Sequence, residues 1–280
     1  TAAYLTAAWS IVAALGLAGL TLAVHATALG GGLSHLIGAC VLRLRATYDT
    51  PGGATVAGLG LTVAGAVAAR TVVTALAHLR GTRRLALAHA QTARFVGRPE
   101  PGLGATLIDH RQPAAYCVAG RHPTVILTTG ALEALNGDQL AAVLAHERAH
   151  LAFRHHLLKD LARIGRQVLP FVPLMRDTDT QVARLVELHA DDMARRSCAP
   201  GPLATALVIL ATGASPEPAL AAAATDAVQR IHRLLGPAEP LSRARRQLLG
   251  AAVAAIALTP VVLALVPAVV ALALGRVPGA

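Results

Sequence analysis

The sequence predicts a mainly α-helical membrane protein, in which three transmembrane helices accompany a central α+β domain with a small sheet. Three observations indicate this fold class. Hydrophobic residues make up 54% of the 280 residues and charged residues only 14%, which is too apolar for an ordinary soluble domain. Three runs without acidic residues reach the length that crosses a bilayer. Between the second and third runs, the periodicity switches from strand-like to helical, as in a folded domain.

The first predicted span covers residues 4–24, which carry no charge and place Tyr4 and Trp9 near one end as interfacial anchors. We expect residues 25–52 to form an extracellular loop with a short interfacial helix. Because the chain begins at Thr1 without a methionine, we expect it to be a processed or trimmed product.

The second predicted span, residues 54–77, contains Arg70. An arginine at the bilayer centre costs roughly 2.5–3.5 kcal/mol on insertion scales. We therefore expect Arg70 to sit off-centre or to extend towards the polar end of the span, which is marked by Arg80, Arg83 and Arg84.

The third predicted span, residues 247–275, is free of charge and carries Pro260 and Pro267, which are expected to kink it. Arginines precede it and also follow the second span. Since positive charge concentrates on the cytoplasmic side, residues 80–246 are predicted to be cytoplasmic. The chain then divides into 1–79 with two spans, the central domain 80–246, and 247–280 with the last span.

The net charge of +10 does not predict nucleic-acid binding, because the arginines flank the apolar runs. The cysteines Cys40, Cys117 and Cys198 are scattered and form no CxxC pair, which argues against a disulfide framework or a zinc knuckle.

Within the central domain, Thr124–Thr129 is a β-branched run that predicts one strand of the small sheet, and it is a natural edge for an extended peptide to pair with. Helical patterns follow, with Pro170 and Pro173 between the first two of them. These predicted helices cover residues 138–162, 178–197, 203–213 and 219–235.

The first of these helices, with Asp138 as its expected N-cap, contains His146-Glu147-Arg-Ala-His150. Side chains four residues apart lie on one helix face, so the two imidazoles can bind one zinc ion. Glu147 is then placed to activate the attacking water as general base. The alternative is that both histidines are polar positions on a partly buried helix.

A catalytic zinc site takes a third protein ligand and leaves one position open. Glu187 lies thirty-seven positions after His150 in a later predicted helix and is the expected ligand. One turn beyond it, Asp191 is expected to accept a hydrogen bond from a ligating histidine. Its neighbour Asp192 is the alternative for that role, and both acidic groups could instead form a solvated face.

Further polar residues are candidates for smaller roles. Stabilisation of an oxyanion needs a donor near the carbonyl oxygen, for which the candidates are Tyr116, Arg230 and His232. His155 and His156 follow the zinc motif and are interpreted as surface groups rather than catalytic ones.

Together these motifs resemble the integral-membrane gluzincins, in particular the BlaR/MecR-type antirepressor peptidases, with the HtpX-type proteases as more distant relatives. The resemblance covers about residues 105–240 and is carried by three segments. They are Ala141-Ala-Val-Leu-Ala-His-Glu-Arg-Ala-His150, Val125-Ile-Leu-Thr-Thr-Gly-Ala-Leu132 and Glu187-Leu-His-Ala-Asp191. The sensor relatives continue into an extracellular penicillin-binding domain, whereas this chain stops at Ala280, so we do not expect it to sense β-lactams directly.

The resemblance implies a gluzincin-type zinc peptidase domain on the cytoplasmic side of a multi-pass cell-membrane protein. The expected function is zinc-dependent endopeptidase cleavage of a cytoplasmic regulator, such as a DNA-binding repressor. A membrane sensor partner, a homo-oligomer or the state of the spans is expected to control it. The alternatives are an HtpX-like quality-control protease and a non-catalytic signalling scaffold with a structural zinc site.

Overall fold

The computed structural model describes residues 2–23, 53–120, 123–214, 217–237 and 242–273. The predicted extracellular loop and Cys40 lie outside these ranges. The chain divides into two compact units. The sheet unit comprises Ala77–Arg163 and Asp179–Pro240, and the helical unit comprises Ala2–Leu76, Ile164–Thr178 and Leu241–Ala280.

The sheet unit contains four short strands in the order β1-β2-β4-β3. They are β1 (Arg98–Glu100), β2 (Ala105–Ile108), β3 (Ala115–Val118) and β4 (Thr124–Thr128). Strand β4 pairs in parallel with β2 and antiparallel with β3. The expectation that the 124–129 run is an edge was therefore wrong. The consecutive residues Val125–Leu127 are all buried, so both faces of this central strand are covered, as its continuous apolar run requires.

Helices α3 (Thr129–Ala134) and α4 (Gly137–Ala152) follow the sheet. The N-cap of α4 is Asn136 rather than the expected Asp138, because Asn136 and Gln139 form a reciprocal capping box. The predicted helix 138–162 is also interrupted. Arg154 adopts a positive φ of 50°, and a second helix, α5 (His155–Val168), begins directly after it.

The remaining helices of the central region are α6 (Pro173–Ala194), α7 (Pro200–Ala214) and α8 (Glu217–Leu235). In the sheet unit, α4 is buried between two layers. Its Leu144 packs against Val125 and Leu127 of the sheet. Its Ala142 packs against Leu203 and Leu234, on α7 and α8. Helix α4 therefore has little freedom to rotate, and its polar positions are held at fixed places.

The helical unit contains α1 (Ala2–Ala23) and α9 (Arg243–Ala273), which pack along each other, and most of the predicted second span. That span belongs to α2 (Gly53–Val96), which continues nineteen residues beyond the predicted end at residue 77. Among the described residues, two stretches are long and apolar enough to cross a membrane, Gly58–Ala88 and Arg243–Val262. The prediction of three spans is thus corrected to two candidates, since only the shorter stretch Leu5–Ala14 of α1 qualifies as apolar.

Candidate metal centre

Two histidines on one face of α4 begin the site. His146 and His150 are both buried, and their Nε2 atoms lie 3.1 Å apart. The i, i+4 spacing brings the rings together, and the packing of α4 on both sides directs them into the unit interior. Glu187 reaches the same point from α6. Its Oε2 lies 3.4 Å from Nε2 of His146 and 3.5 Å from Nε2 of His150.

This triangle of ligand atoms fits a zinc ion. At zinc–ligand distances of about 2.0–2.1 Å, two ligands of a tetrahedral site lie about 3.3 Å apart. The three observed separations of 3.1, 3.4 and 3.5 Å bracket that value. Two imidazoles and one carboxylate are also the donor set of catalytic zinc sites. Within the described part of the chain, His146, His150 and Glu187 form the one group of His, Cys, Asp and Glu side chains with this convergence.

Asp191 supports the outer nitrogen of His146. Its Oδ1 lies 3.0 Å from Nδ1 of His146, and its side chain is 1% exposed. The contact is close in distance but not aligned as a hydrogen bond, so Nδ1 of His146 is a buried polar atom without a partner. A small rotation of the imidazole would align it. Arg230 on α8 holds Asp191 in place through two hydrogen bonds of 2.7 and 2.8 Å.

The electrostatics of this cluster favour a cation at its centre. Burial lowers the pKa of His146, but the Asp191 and Glu187 carboxylates beside its two ring nitrogens outweigh burial and raise that pKa to about 9. The surroundings therefore stabilise positive charge between the ligands, and a metal ion that displaces the proton can supply that charge instead.

Glu187 is held from two further sides. Lys159 on α5 places its Nζ 2.9 Å from Oε1, and Arg230 places Nη1 3.5 Å from Oε2. Burial raises the pKa of Glu187, but the hydrogen bonds from His146 and His150 and the charge of Lys159 bring it far below its usual range. The carboxylate is thus ionised, as a metal ligand must be. Sequence reasoning missed Lys159, for which the motif carries no signal.

His155 is a buried neighbour of the site, which contradicts its interpretation as a surface group. It is 2% exposed, and its Nδ1 lies 2.9 Å from Nδ1 of His150. Its Nε2 lies 3.0 Å from Nδ1 of His189. Burial, followed by the charges of His150 and His189, lowers the pKa of His155 to about 4, so this imidazole is neutral. By contrast, His156 is exposed, as expected.

Glu147 is next to the first ligand and contacts β3. The thiol of Cys117, on that strand, lies close to the carboxylate of Glu147. Burial raises the pKa of Glu147, which suits a group that must take up and release a proton. Burial, together with the negative charge of Glu147, raises the pKa of Cys117 to about 12, so the thiol remains protonated. Cys117 was not predicted because strand pairing, not sequence spacing, brings it to Glu147.

A comparison with known protein families matches residues 80–238, more than half of the chain, to peptidase family M48. The chain belongs to peptidase family M48. It is therefore a metallopeptidase, and the peptidases of this family depend on zinc. No solved structure matches the chain.

The three oxyanion candidates of this M48 peptidase lie in different environments. Tyr116 extends from β3 on the face opposite to Cys117, because side chains alternate along a strand, and it is therefore directed away from Glu147. His232 is exposed on α8, two residues from Arg230 and hence on another face of the helix. Only Arg230 is brought to the ligands, where its guanidinium is bound to Asp191.

Asp192, the alternative to Asp191, is directed elsewhere in this M48 peptidase. It pairs with Arg233 at 2.7 Å, and both side chains are exposed. Adjacent residues on a helix are about 100° apart, so only one of the two aspartates can face the ligands. The geometry favours Asp191.

Proposed function

We propose that this M48 peptidase is a membrane-bound, zinc-dependent endopeptidase that hydrolyses peptide bonds of a cytoplasmic regulatory protein. The observation that carries the proposal is the convergence of His146, His150 and Glu187 beside Glu147. His146, His150 and Glu187 would hold the zinc ion, which when bound supplies Lewis acidity that activates water and polarises a carbonyl.

The residues of the chain then have distinct tasks. Glu147 accepts the proton of the attacking water and passes it to the amine of the leaving peptide. Its partly buried setting raises its pKa, which makes the carboxyl group a competent proton donor in the second step. Asp191 and Lys159 hold His146 and Glu187 in orientation. Arg230 is the strongest of the three candidates for contact with the carbonyl oxygen, because it alone lies next to the ligands.

The position of one sheet edge favours a protein as the substrate. Among the described strands, β3 pairs with β4 alone, so its other backbone edge is available to an extended peptide. Cys117 is part of β3 and contacts Glu147, so a peptide paired with this strand would run past the general base. Substrate pairing at β3 replaces the earlier expectation of pairing at β4.

The membrane placement rests on the two apolar stretches and their flanking charge. Arg80, Arg83 and Arg84 lie near the C-terminal end of the first stretch, arginines open α9, and acidic residues are absent from both stretches. This pattern favours a cytoplasmic catalytic domain. A soluble regulator, such as a DNA-binding repressor, is then the accessible substrate. The BlaR/MecR-like motifs favour this antirepressor role, with control by a membrane sensor partner or by self-association.

The test compares cells that express the wild type with cells that express Glu147→Gln, using quantitative proteomics of cytosolic and membrane fractions. We expect one or a few cytosolic regulators to persist uncut in the variant cells. Accumulation of many misassembled membrane proteins, with soluble regulators unchanged, would instead support the HtpX-like quality-control role. Identical proteomes, with full zinc content in both proteins, would support the structural scaffold.

A further inference from the structure

We propose that the turn between α5 and α6 is inserted into the lipid bilayer beside the membrane spans, as a re-entrant element. We call this segment, Ile164–Thr178, the α5–α6 tip, and it belongs to the helical unit. The proposal rests on the membrane anchoring proposed above and goes beyond it, because this segment is neither a predicted span nor long enough to cross a membrane.

The chemistry of the tip suits acyl chains. From Val168 to Met175 the chain reads Val-Leu-Pro-Phe-Val-Pro-Leu-Met, eight residues without a polar side chain. At its apex, Phe171 is 75% exposed. Arg166 and Arg176 bracket the run, each about one turn back from the apex.

The other face of the tip is packed on the helices of the same unit. A buried cluster joins α5 and α6 residues to Ala8 of α1, and partly buried Trp9 and Ala75 pack against it. The members from the tip are Ile164, Val168, Leu169 and Met175. The tip is therefore fixed to α1 and to the apolar part of α2 on one side, which leaves Phe171 directed away from them.

The contacts of Arg70 indicate where the tip lies along the apolar part of α2. Arg70 lies within the apolar stretch Gly58–Ala88 of α2. Its Nε donates to the carbonyl of Val168 at 2.7 Å and its Nη2 to that of Gln167 at 2.9 Å. Those carbonyls end α5, where they lack helical partners and carry partial negative charge.

This contact is what an arginine inside a bilayer requires. Charged groups at that depth pair with backbone carbonyls, and backbone groups without a partner are excluded from hydrocarbon. Because Arg70 lies within the apolar stretch Gly58–Ala88 and donates to the last carbonyls of α5, the end of α5 lies beside that stretch.

The test places a single tryptophan at the apex of the full chain in phosphatidylcholine–phosphatidylglycerol vesicles. Trp9 is the one native tryptophan. Its Nε1 has no hydrogen-bond partner, so Trp9→Phe removes no hydrogen bond. In this background, Phe171→Trp is compared with Val73→Trp, an exposed position on the span close to Arg70, and with Phe153→Trp, an exposed phenylalanine of the sheet unit. Quenching by acyl-chain-brominated phosphatidylcholine and by aqueous acrylamide is measured for each.

We expect brominated lipid to quench the tryptophan at 171 as strongly as that at 73, with acrylamide ineffective at both positions and effective at 153. If the tryptophan at 73 is quenched by the lipid and that at 171 only by acrylamide, the tip is in water, and the proposal fails while the spans stand. If neither is quenched by the lipid, the chain is not inserted, and the membrane anchoring fails as well. Casein cleavage by the same variants is recorded separately, so loss of peptidase function is distinguished from both outcomes.

Discussion

Nδ1 of His155 lies 2.9 Å from Nδ1 of His150, on the side of the ring opposite to the nitrogen that faces the metal centre. If Nε2 of His150 binds the metal, its Nδ1 must carry the proton, and the neutral His155 accepts it. His155 then donates from Nε2 to Nδ1 of His189. The neutral imidazole of His155 is thus the partner of the outer nitrogen of His150, as the carboxylate of Asp191 is for His146.

His155→Ala should weaken zinc retention by roughly 10–100-fold, the usual cost of removing the partner of a ligating histidine. His156→Ala is the matched control, because this neighbour is exposed and should retain zinc like the wild type. Competition with a chelator measures both. Equal zinc retention by the two variants would show that His155 does not orient His150.

Asp191→Ala should weaken zinc retention to a similar extent, while Asp192→Ala should leave it nearly unchanged. The physical reason is that Asp191 is buried against His146 and Arg230, whereas Asp192 forms an exposed ion pair with Arg233. Exposed ion pairs contribute little to stability. The same chelator titration ranks the two variants, and the reverse order would place Asp192 in the site.

These contacts show which parts of the site could be predicted from sequence. The i, i+4 spacing within one helix places His146 beside His150, and the same spacing places Glu187 and Asp191 on one face of α6. Local geometry alone is sufficient for each of these pairs. Glu187 reaches the two imidazoles because of the way α6 packs in the sheet unit. Sequence spacing can suggest this packing but cannot determine it.

The parts that were missed depend on tertiary structure. His155 begins a new helix because the preceding one is broken at Arg154, which has a positive φ although it is not a glycine. The sequence has no glycine or proline there that would predict this break. Strand β4 is central because β2 and β3 pair with it from both sides, and its partners in β2 are twenty residues away in the sequence. Arg70 finds its partners ninety-seven and ninety-eight residues along the chain.

Cys117 should react slowly with iodoacetamide at pH 8.5, at least tenfold more slowly than Cys198. With a pKa of about 12, its thiolate fraction is about a thousandth of that of an ordinary thiol, and the thiolate is the reactive form. Glu147→Gln should accelerate the reaction because it removes a negative charge, but only in part, since burial is the larger cause. Peptide mass spectrometry follows each cysteine. An unchanged rate in the variant would show that Glu147 does not influence the thiol.

The sharpest test of the metal centre contrasts the base with a ligand. Glu147→Gln should keep zinc and lose cleavage, because the amide has the same shape but cannot accept the proton of the attacking water. His150→Ala should lose cleavage together with the metal, since it deletes one of three ligands. Glu133→Gln, an exposed glutamate on α3, makes the same chemical change away from the site and should retain both properties. Zinc content by atomic absorption and casein turnover are measured on all three purified proteins. Cleavage by Glu147→Gln at the wild-type rate would remove Glu147 as the base, and full zinc content in His150→Ala would remove His150 as a ligand.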